Sequence, residues 1–236
     1  SMKNTHIPVV TIDGPSGVGK GTVSLRVAKQ LGWHTLDSGA IYRVLALAAL
    51  QTQVSLSDEN ALASLASHLE VQFVPLPDLS ATQVVLNGQE VSQKLRSESS
   101  GMVASQIAVL PKVRQALLAR QRAFRQKPGL VADGRDMGTI VFPDAPIKIF
   151  LTASIEERAQ RRYKQLKEKG INAKLSHLIV EIGERDKRDC TRTIAPLIAA
   201  AEALTIDTTK TPIEPVVARI LSIISERLSV IDGTDN

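Results

Sequence analysis

The sequence predicts an α/β fold in which a parallel sheet is covered by helices on both faces and carries a small antiparallel β insert. Three observations predict it. Short β-branched runs alternate with longer stretches of helical spacing, the pattern of a parallel sheet buried between helix layers. The stretch Glu70 to Arg96 breaks that alternation. A glycine-rich loop ending in lysine stands between the first strand and the first helix, from Gly14 to Thr22.

Taken in order, Pro8–Asp13 is a β-branched run ended by glycine and reads as a buried strand. Lys20–Leu31 has helical spacing, with Val23, Val27 and Leu31 on one face. His34–Asp37 is a second strand. Ala40–Thr52 is a strongly apolar helix, and Ser57–Leu69 is another with Ser57 as its expected N-cap. Val71–Val74 and Gln83–Leu86 are short strands, and Asn87-Gly88 is a strong hairpin signal beside them. Helices are expected at Ser99–Val109 and Pro111–Gln126. Pro128-Gly129 breaks the pattern before strands at Leu130–Asp133 and Ile147–Leu151. Ser154 and Glu157 form a capping box that opens a charged helix to about Lys169. A helix at Leu175–Cys190, a strand at Ala203–Asp207 and a helix at Glu214–Leu228 complete the chain. There is no internal repeat or low-complexity tract.

A chain of 236 residues suits one domain, 1–236, with residues 70–96 as an inserted subdomain. The apolar fraction of 43% argues against wholesale disorder. Aromatics at 3% disfavour a nucleic-acid reader that stacks bases on rings. The lone Cys190 excludes an intramolecular disulfide and suits a reducing cytoplasm. The apolar run Val44–Leu50 is far too short to span a bilayer. No signal peptide is read at the N-terminus, and Ser1 ahead of Met2 reads as an expression scar. The net charge of +5 decides little until the arginines are placed.

The loop Gly14-Pro15-Ser16-Gly17-Val18-Gly19-Lys20-Gly21-Thr22 follows a strand and opens a helix. That context marks a phosphate-binding loop. Its glycines let several N–H groups point into one concavity, and the helix N-terminus adds positive potential. Lys20 reaches the β- and γ-phosphates. One position departs from the common pattern, because Gly21 follows the lysine and the hydroxyl arrives at Thr22. A glycine-rich turn that binds nothing is the bland reading, and the conjunction of Gly14, Gly17, Gly19 and Lys20 argues against it. A phosphate-loop ATPase or GTPase that is not a kinase is left open by the loop alone.

A kinase needs a second phosphate site facing that loop. Asp37-Ser38-Gly39-Ala40-Ile41-Tyr42-Arg43 follows the second strand, at the carboxyl edge where open α/β sheets bind ligands. Ser38 offers one hydrogen bond and Arg43 a guanidinium fork. Asp133-Gly134-Arg135-Asp136 sits at the same edge. Asp133 suits a magnesium ion, directly or through water, and Arg135 suits the acceptor phosphate. Arg185, Arg188, Asp189 and Arg192 share one helical face. With Arg158, Arg161 and Arg162 on the preceding helix, they form the expected lid over ATP, with Arg158 and Arg162 as its ATP contacts. An ordinary solvated charge run is the plainer reading of either cluster alone.

These four segments, GPSGVGKGT, DSGAIYR, DGRDMGT and RDKRDCTR, stand in the order found in bacterial cytidylate kinases of the longer type. The resemblance runs from about Val9 to Thr208. It implies a phosphate-loop NTPase fold with a five-stranded parallel sheet, the β insert lying beside the monophosphate site. It implies transfer of the γ-phosphate of ATP to CMP or dCMP, with Mg2+ at Thr22 and Asp133. Carried over by position, Ser38, Arg43, Arg135 and Arg192 hold the acceptor phosphate. Ser105, Arg114 and Asp136 surround cytosine, and Arg185 and Asp189 contact the sugar. Lys20, Arg135, Arg185 and Arg192 are the expected catalytic groups, acting by alignment and charge stabilisation.

His6, His34, His68 and His177 show no metal-ligand spacing, and Cys190 has no evident base. The expected partners are ATP and CMP or dCMP, with no nucleic acid, no membrane and a monomeric state. A kinase for UMP, AMP or GMP is one alternative. A regulatory nucleotide switch is another, although no asparagine here is followed by lysine as in a guanine reader.

Overall fold

The computed structural model describes residues 7–96, 98–193 and 195–233. Ser1, Met2 and His6 lie outside the described residues. Five parallel strands form the main sheet in the order β2-β6-β1-β7-β8. They are β1 (Val9–Asp13), β2 (His34–Asp37), β6 (Leu130–Gly134), β7 (Ile147–Thr152) and β8 (Leu204–Asp207). The three others, β3 (Val71–Pro75), β4 (Thr82–Leu86) and β5 (Gln89–Glu90), form a separate antiparallel sheet.

Strand side chains alternate between two apolar layers, as the two-residue period requires. Val9, Leu130 and Ala132 pack on one face, with α2 (Ser38–Gln51), α3 (Glu59–Ser67) and α6 (Pro111–Arg122). Val10, Ile12, Val131, Ile147 and Ile149 pack on the other, with α1 (Lys20–Leu31) and α9 (Ile213–Gly233). Strands buried on both faces explain why these runs read as continuous apolar segments. The remaining helices are α4 (Ser92–Leu95), α5 (Glu98–Ile107), α7 (Ile155–Glu168) and α8 (Leu175–Thr191).

The small sheet closes through a tight turn in which Asn87 (φ 51°) and Gly88 (φ 80°) are both left-handed. That is the pair of conformations a two-residue hairpin demands. Phe73 of β3 meets Phe124 at 5.6 Å between ring centroids, and Arg120 lies over the Phe124 ring at 4.9 Å. These contacts fasten the insert to the end of α6.

Two details differ from expectation. Asp58, not Ser57, caps α3, its Oδ1 accepting from the Ala61 N–H at 3.1 Å. The Ser57 hydroxyl instead pairs with that of Ser55 at 2.8 Å. The segment after β6, where no element was expected, contains a π-helical turn over Met137–Val141.

The chain leaves β1 toward β2 on one side, while β6 connects across β1 to β7 on the other. The carboxyl ends of β1 and β6 therefore border the crevice where such sheets bind ligands. No helix among the described residues is long and apolar enough to cross a membrane.

Candidate active site

The loop between β1 and α1 has its special conformations at Gly17 (φ 80°) and Gly19 (φ 83°), both left-handed. Gly19 is the N-cap of α1 and supplies no side-chain cap. The first N–H groups of the helix are thus left for a ligand, which the helix dipole makes anionic. The Lys20 ammonium lies over the loop and donates to the Pro15 carbonyl at 3.3 Å. Burial lowers its proton affinity, and Asp133 opposes that effect.

Two arginines of α7 support the loop from outside. Arg158 is buried and donates to the Ser16 carbonyl at 3.1 Å and the Ala153 carbonyl at 3.1 Å. The same guanidinium pairs with both oxygens of Asp186 on α8. Arg161 donates to the Gly17 carbonyl at 3.1 Å and the Thr208 carbonyl at 2.8 Å. The Ser16 and Gly17 carbonyls are both held by guanidiniums of α7. Arg158 thus meets the loop backbone, while Arg162 is exposed on α7.

A cleft of about 240 Å³ opens beside the start of α1, lined by Gly21, Thr22, Ser24, Asp37, Asp133, Thr82 of β4 and Ser80 of the loop before it. Burial raises the Asp133 pKa well above the usual carboxylate range; Asp37 adds to this and Lys20 opposes it. A carboxylate held in that state favours a cationic partner. No cluster of three or more metal-ligating side chains occurs among the described residues. The donor set fits a hard cation that brings most of its ligands as phosphate and water, as magnesium does.

The residues expected on the acceptor side come from four elements. Asp37 caps α2, accepting from the Ala40 N–H at 3.1 Å, and this puts buried Ser38 in the first turn. Arg43 is exposed one turn further on. Arg135 follows β6 and donates to Asp189 Oδ1 of α8 at 2.7 Å. Burial and then the neighbouring Arg185 push the Arg135 pKa down to about 10; Asp189 pulls it back, and Arg192 and Arg43 push further. Arg185 is lowered in the same way, by burial first and Arg43 among its repelling neighbours. Arg135 thus feels the charges of Arg185, Arg192 and Arg43, and Arg185 feels that of Arg43, an arrangement that an anion relieves. Arg192 is meanwhile tied to the Ala195 carbonyl at 2.5 Å.

Beside them, Arg114 of α6 donates to Asp136 Oδ2 at 3.3 Å and to the Ala108 carbonyl at 3.1 Å. Burial raises the Asp136 pKa, opposed chiefly by Arg114. Asp189 Oδ2 is buried without a hydrogen-bond partner among the described residues. Ser105 stands apart from this group, its hydroxyl turned back to the Gly101 carbonyl of its own helix at 3.1 Å.

Sequence reasoning missed two neighbours of these groups. Tyr42 is a largely buried phenol whose pKa is raised by burial and touched by Arg114, Asp136 and Arg192. Its place within DSGAIYR was the available signal. Asp13 is buried at the end of β1 and had no signal beyond its adjacency to Gly14. His34 bonds the Lys127 carbonyl and His68 the Ser64 carbonyl, both away from the cleft.

Known proteins resemble this chain along nearly its whole length. The family model described as cytidylate kinase matches residues 10–226. The cytidylate kinase of Azotobacter vinelandii is 59% identical over 93% of this chain and 96% of its own length. That of Aeromonas salmonicida is 58% identical over 94% and 95%. An uncharacterized protein from Eubacterium ventriosum superposes with a TM-score of 0.50 at 12% identity, covering 93% of this chain and 99% of its own, a likeness of fold alone.

Proposed function

The chain belongs to the cytidylate kinase family, and from that premise we infer that it transfers the γ-phosphate of ATP to CMP or dCMP, giving CDP or dCDP and ADP. What supports the acceptor half is Arg135, bound to Asp189 of α8 at 2.7 Å, within electrostatic reach of Lys20 and of Arg43, Arg185 and Arg192. An arginine that feels three neighbouring guanidiniums, near a buried ammonium, suits two phosphates meeting end to end.

The residues divide the work as follows. Gly14, Pro15, Ser16, Gly17, Val18, Gly19, Gly21 and Thr22 cradle the ATP phosphates through backbone N–H groups, and Lys20 stabilises the phosphoryl group in flight. Arg158 serves ATP through the Ser16 carbonyl, and exposed Arg162 is the lid arginine left to reach it. Ser38, Arg43, Arg135 and Arg192 hold the acceptor phosphate, whose oxygen is the nucleophile. Arg135, Arg185 and Arg192 spread the charge developing on the equatorial oxygens. Magnesium would be held by Thr22 and Asp133 with ATP, supplying neutralisation of phosphate charge.

Base selection follows from the Arg114–Asp136 pair. Asp136 accepts from the exocyclic amine of cytosine and Arg114 donates to its ring acceptors. Ser105 joins them by turning from Gly101. Uracil would set a carbonyl against the carboxylate, leaving buried polar groups unpaired, and such mismatches reject analogues strongly. The unpartnered Asp189 Oδ2 suits a sugar hydroxyl, with Arg185 beside it. The chain acts as a monomer in a reducing cytoplasm, a compartment that the exposed free thiol of Cys190 fits.

The test is coupled ADP release with ATP, magnesium and each monophosphate in turn. Turnover with CMP and dCMP, and little with UMP, AMP or GMP, is the expected result. ADP release that no acceptor stimulates would overturn the reading.

A further inference from the structure

The carboxylate of Asp13 has no part in the roles above. It is 4% exposed and accepts two backbone hydrogen bonds, from Met137 N–H at 2.9 Å and Gly138 N–H at 2.8 Å. Burial pushes its pKa up to about 6, and those two bonds pull it back. Holding a carboxylate there is costly and persists only where its bonds are satisfied. Gly138 is matched to it, because a Cβ at that position would meet Thr11 Oγ1 at 2.9 Å and Asp13 Oδ2 at 3.4 Å.

What the bonds connect distinguishes this from an ordinary cap. Asp13 directly precedes Gly14, the first residue of the phosphate loop. Met137 directly follows Arg135 and Asp136. On the other side of that turn, the Gly14 N–H donates to the Gly134 carbonyl at 3.3 Å. Both ends of Gly134-Arg135-Asp136 are therefore pinned to the junction from which the ATP loop springs.

We propose that Asp13 is a positioning residue: with the Gly14 N–H it clamps the Arg135–Asp136 turn to the phosphate loop and so sets the separation of donor and acceptor. In-line transfer demands such a setting, since a misplacement of about 1 Å costs about a hundredfold in rate. The proposal rests on the assignment of Arg135 to the acceptor.

The test is a double-mutant cycle of Asp13→Asn with Arg135→Ala, reading kcat/KM for CMP and KM for ATP. The side-chain amide keeps one acceptor and turns an N–H against the second backbone N–H. Asp13→Asn alone is expected to lower kcat/KM for CMP by about ten- to a hundredfold, with KM for ATP within about twofold. In the Arg135→Ala background the same change should cost at least about threefold less, because the part that acts through Arg135 is already gone and only the part through Asp136 is left. Equal losses in both backgrounds, or a matching loss in ATP affinity, would overturn the positioning role while leaving the acceptor assignment standing. An Arg135→Ala enzyme with unchanged CMP kinetics would overturn both. If Asp13→Asn does not fold, Gly138→Ala disturbs the same contact and takes its place in the cycle.

Discussion

The two sides of the cleft are built from different materials. The ATP side is a contiguous stretch, Gly14–Thr22, whose working groups are backbone amides set by two left-handed glycines. The acceptor side uses side chains from α2, α6, α8 and the turn after β6, brought together from residue 38 to residue 192. The first is a local solution that any acceptor shares. The second is a tertiary solution, and the proposed selectivity rests on it. Damage to the loop should therefore be blind to the acceptor, whereas damage to the pocket should be blind to ATP.

The largest expected effect tests the loop. Lys20→Ala should lower kcat about a thousandfold and by the same factor for CMP and dCMP, measured by ADP release. A loss confined to one acceptor would break the division. Next is Asp189→Ala, which removes the partner of Arg135 and the free acceptor Oδ2. Its kcat/KM for CMP should fall by roughly ten- to a hundredfold with KM for ATP nearly unchanged.

A smaller effect lies at the junction of the two sides. Asp13 holds its proton to about pH 6 when folded, against an ordinary value of 3.8. The folded state binds that proton more tightly than the unfolded state. Its contribution to stability is full below about pH 4 and is lost as pH rises through about 6. Calorimetry of Asp13→Asn without ligands should show a shallower fall in Tm across that window than the native chain shows. The smallest is a control far from the chemistry. Gly88→Ala forces a Cβ into a left-handed turn with open space around it. It should cost about 1 kcal/mol in denaturant unfolding and leave both KM values unchanged.

The same contrast decides what was legible beforehand. The main-sheet strands fell at their expected places because each is a short run, bounded by glycine, proline or a polar turn, between stretches of helical spacing. The loop was legible because its function depends on neighbours in sequence. The Arg114–Asp136 and Arg135–Asp189 pairs span 22 and 54 residues, and no periodicity relates such positions. Arg135, Asp136 and Asp189 were legible singly, from their places at the sheet edge and on one helical face, but not as members of these pairs, and Arg114 was reached only through the family resemblance. Arg158 illustrates the limit, since a charge on a helix carries no sign of whether it will face ATP or the loop's own carbonyls. The cap at Asp58 was missed because Ser57 and Asp58 are adjacent and both are good caps. The π-turn was missed because what supports its first two N–H groups, the Asp13 carboxylate, lies 124 and 125 residues away.

The central claim is that the acceptor is chosen by the Arg114–Asp136 pair while ATP is held independently. The most direct measurement is kcat/KM for CMP and for UMP in the native chain and in Asp136→Asn. The account predicts that CMP loses about a hundredfold, that UMP loses little or improves, and that KM for ATP stays within about twofold. An equal loss for both acceptors, with the CMP-to-UMP ratio preserved, would contradict it.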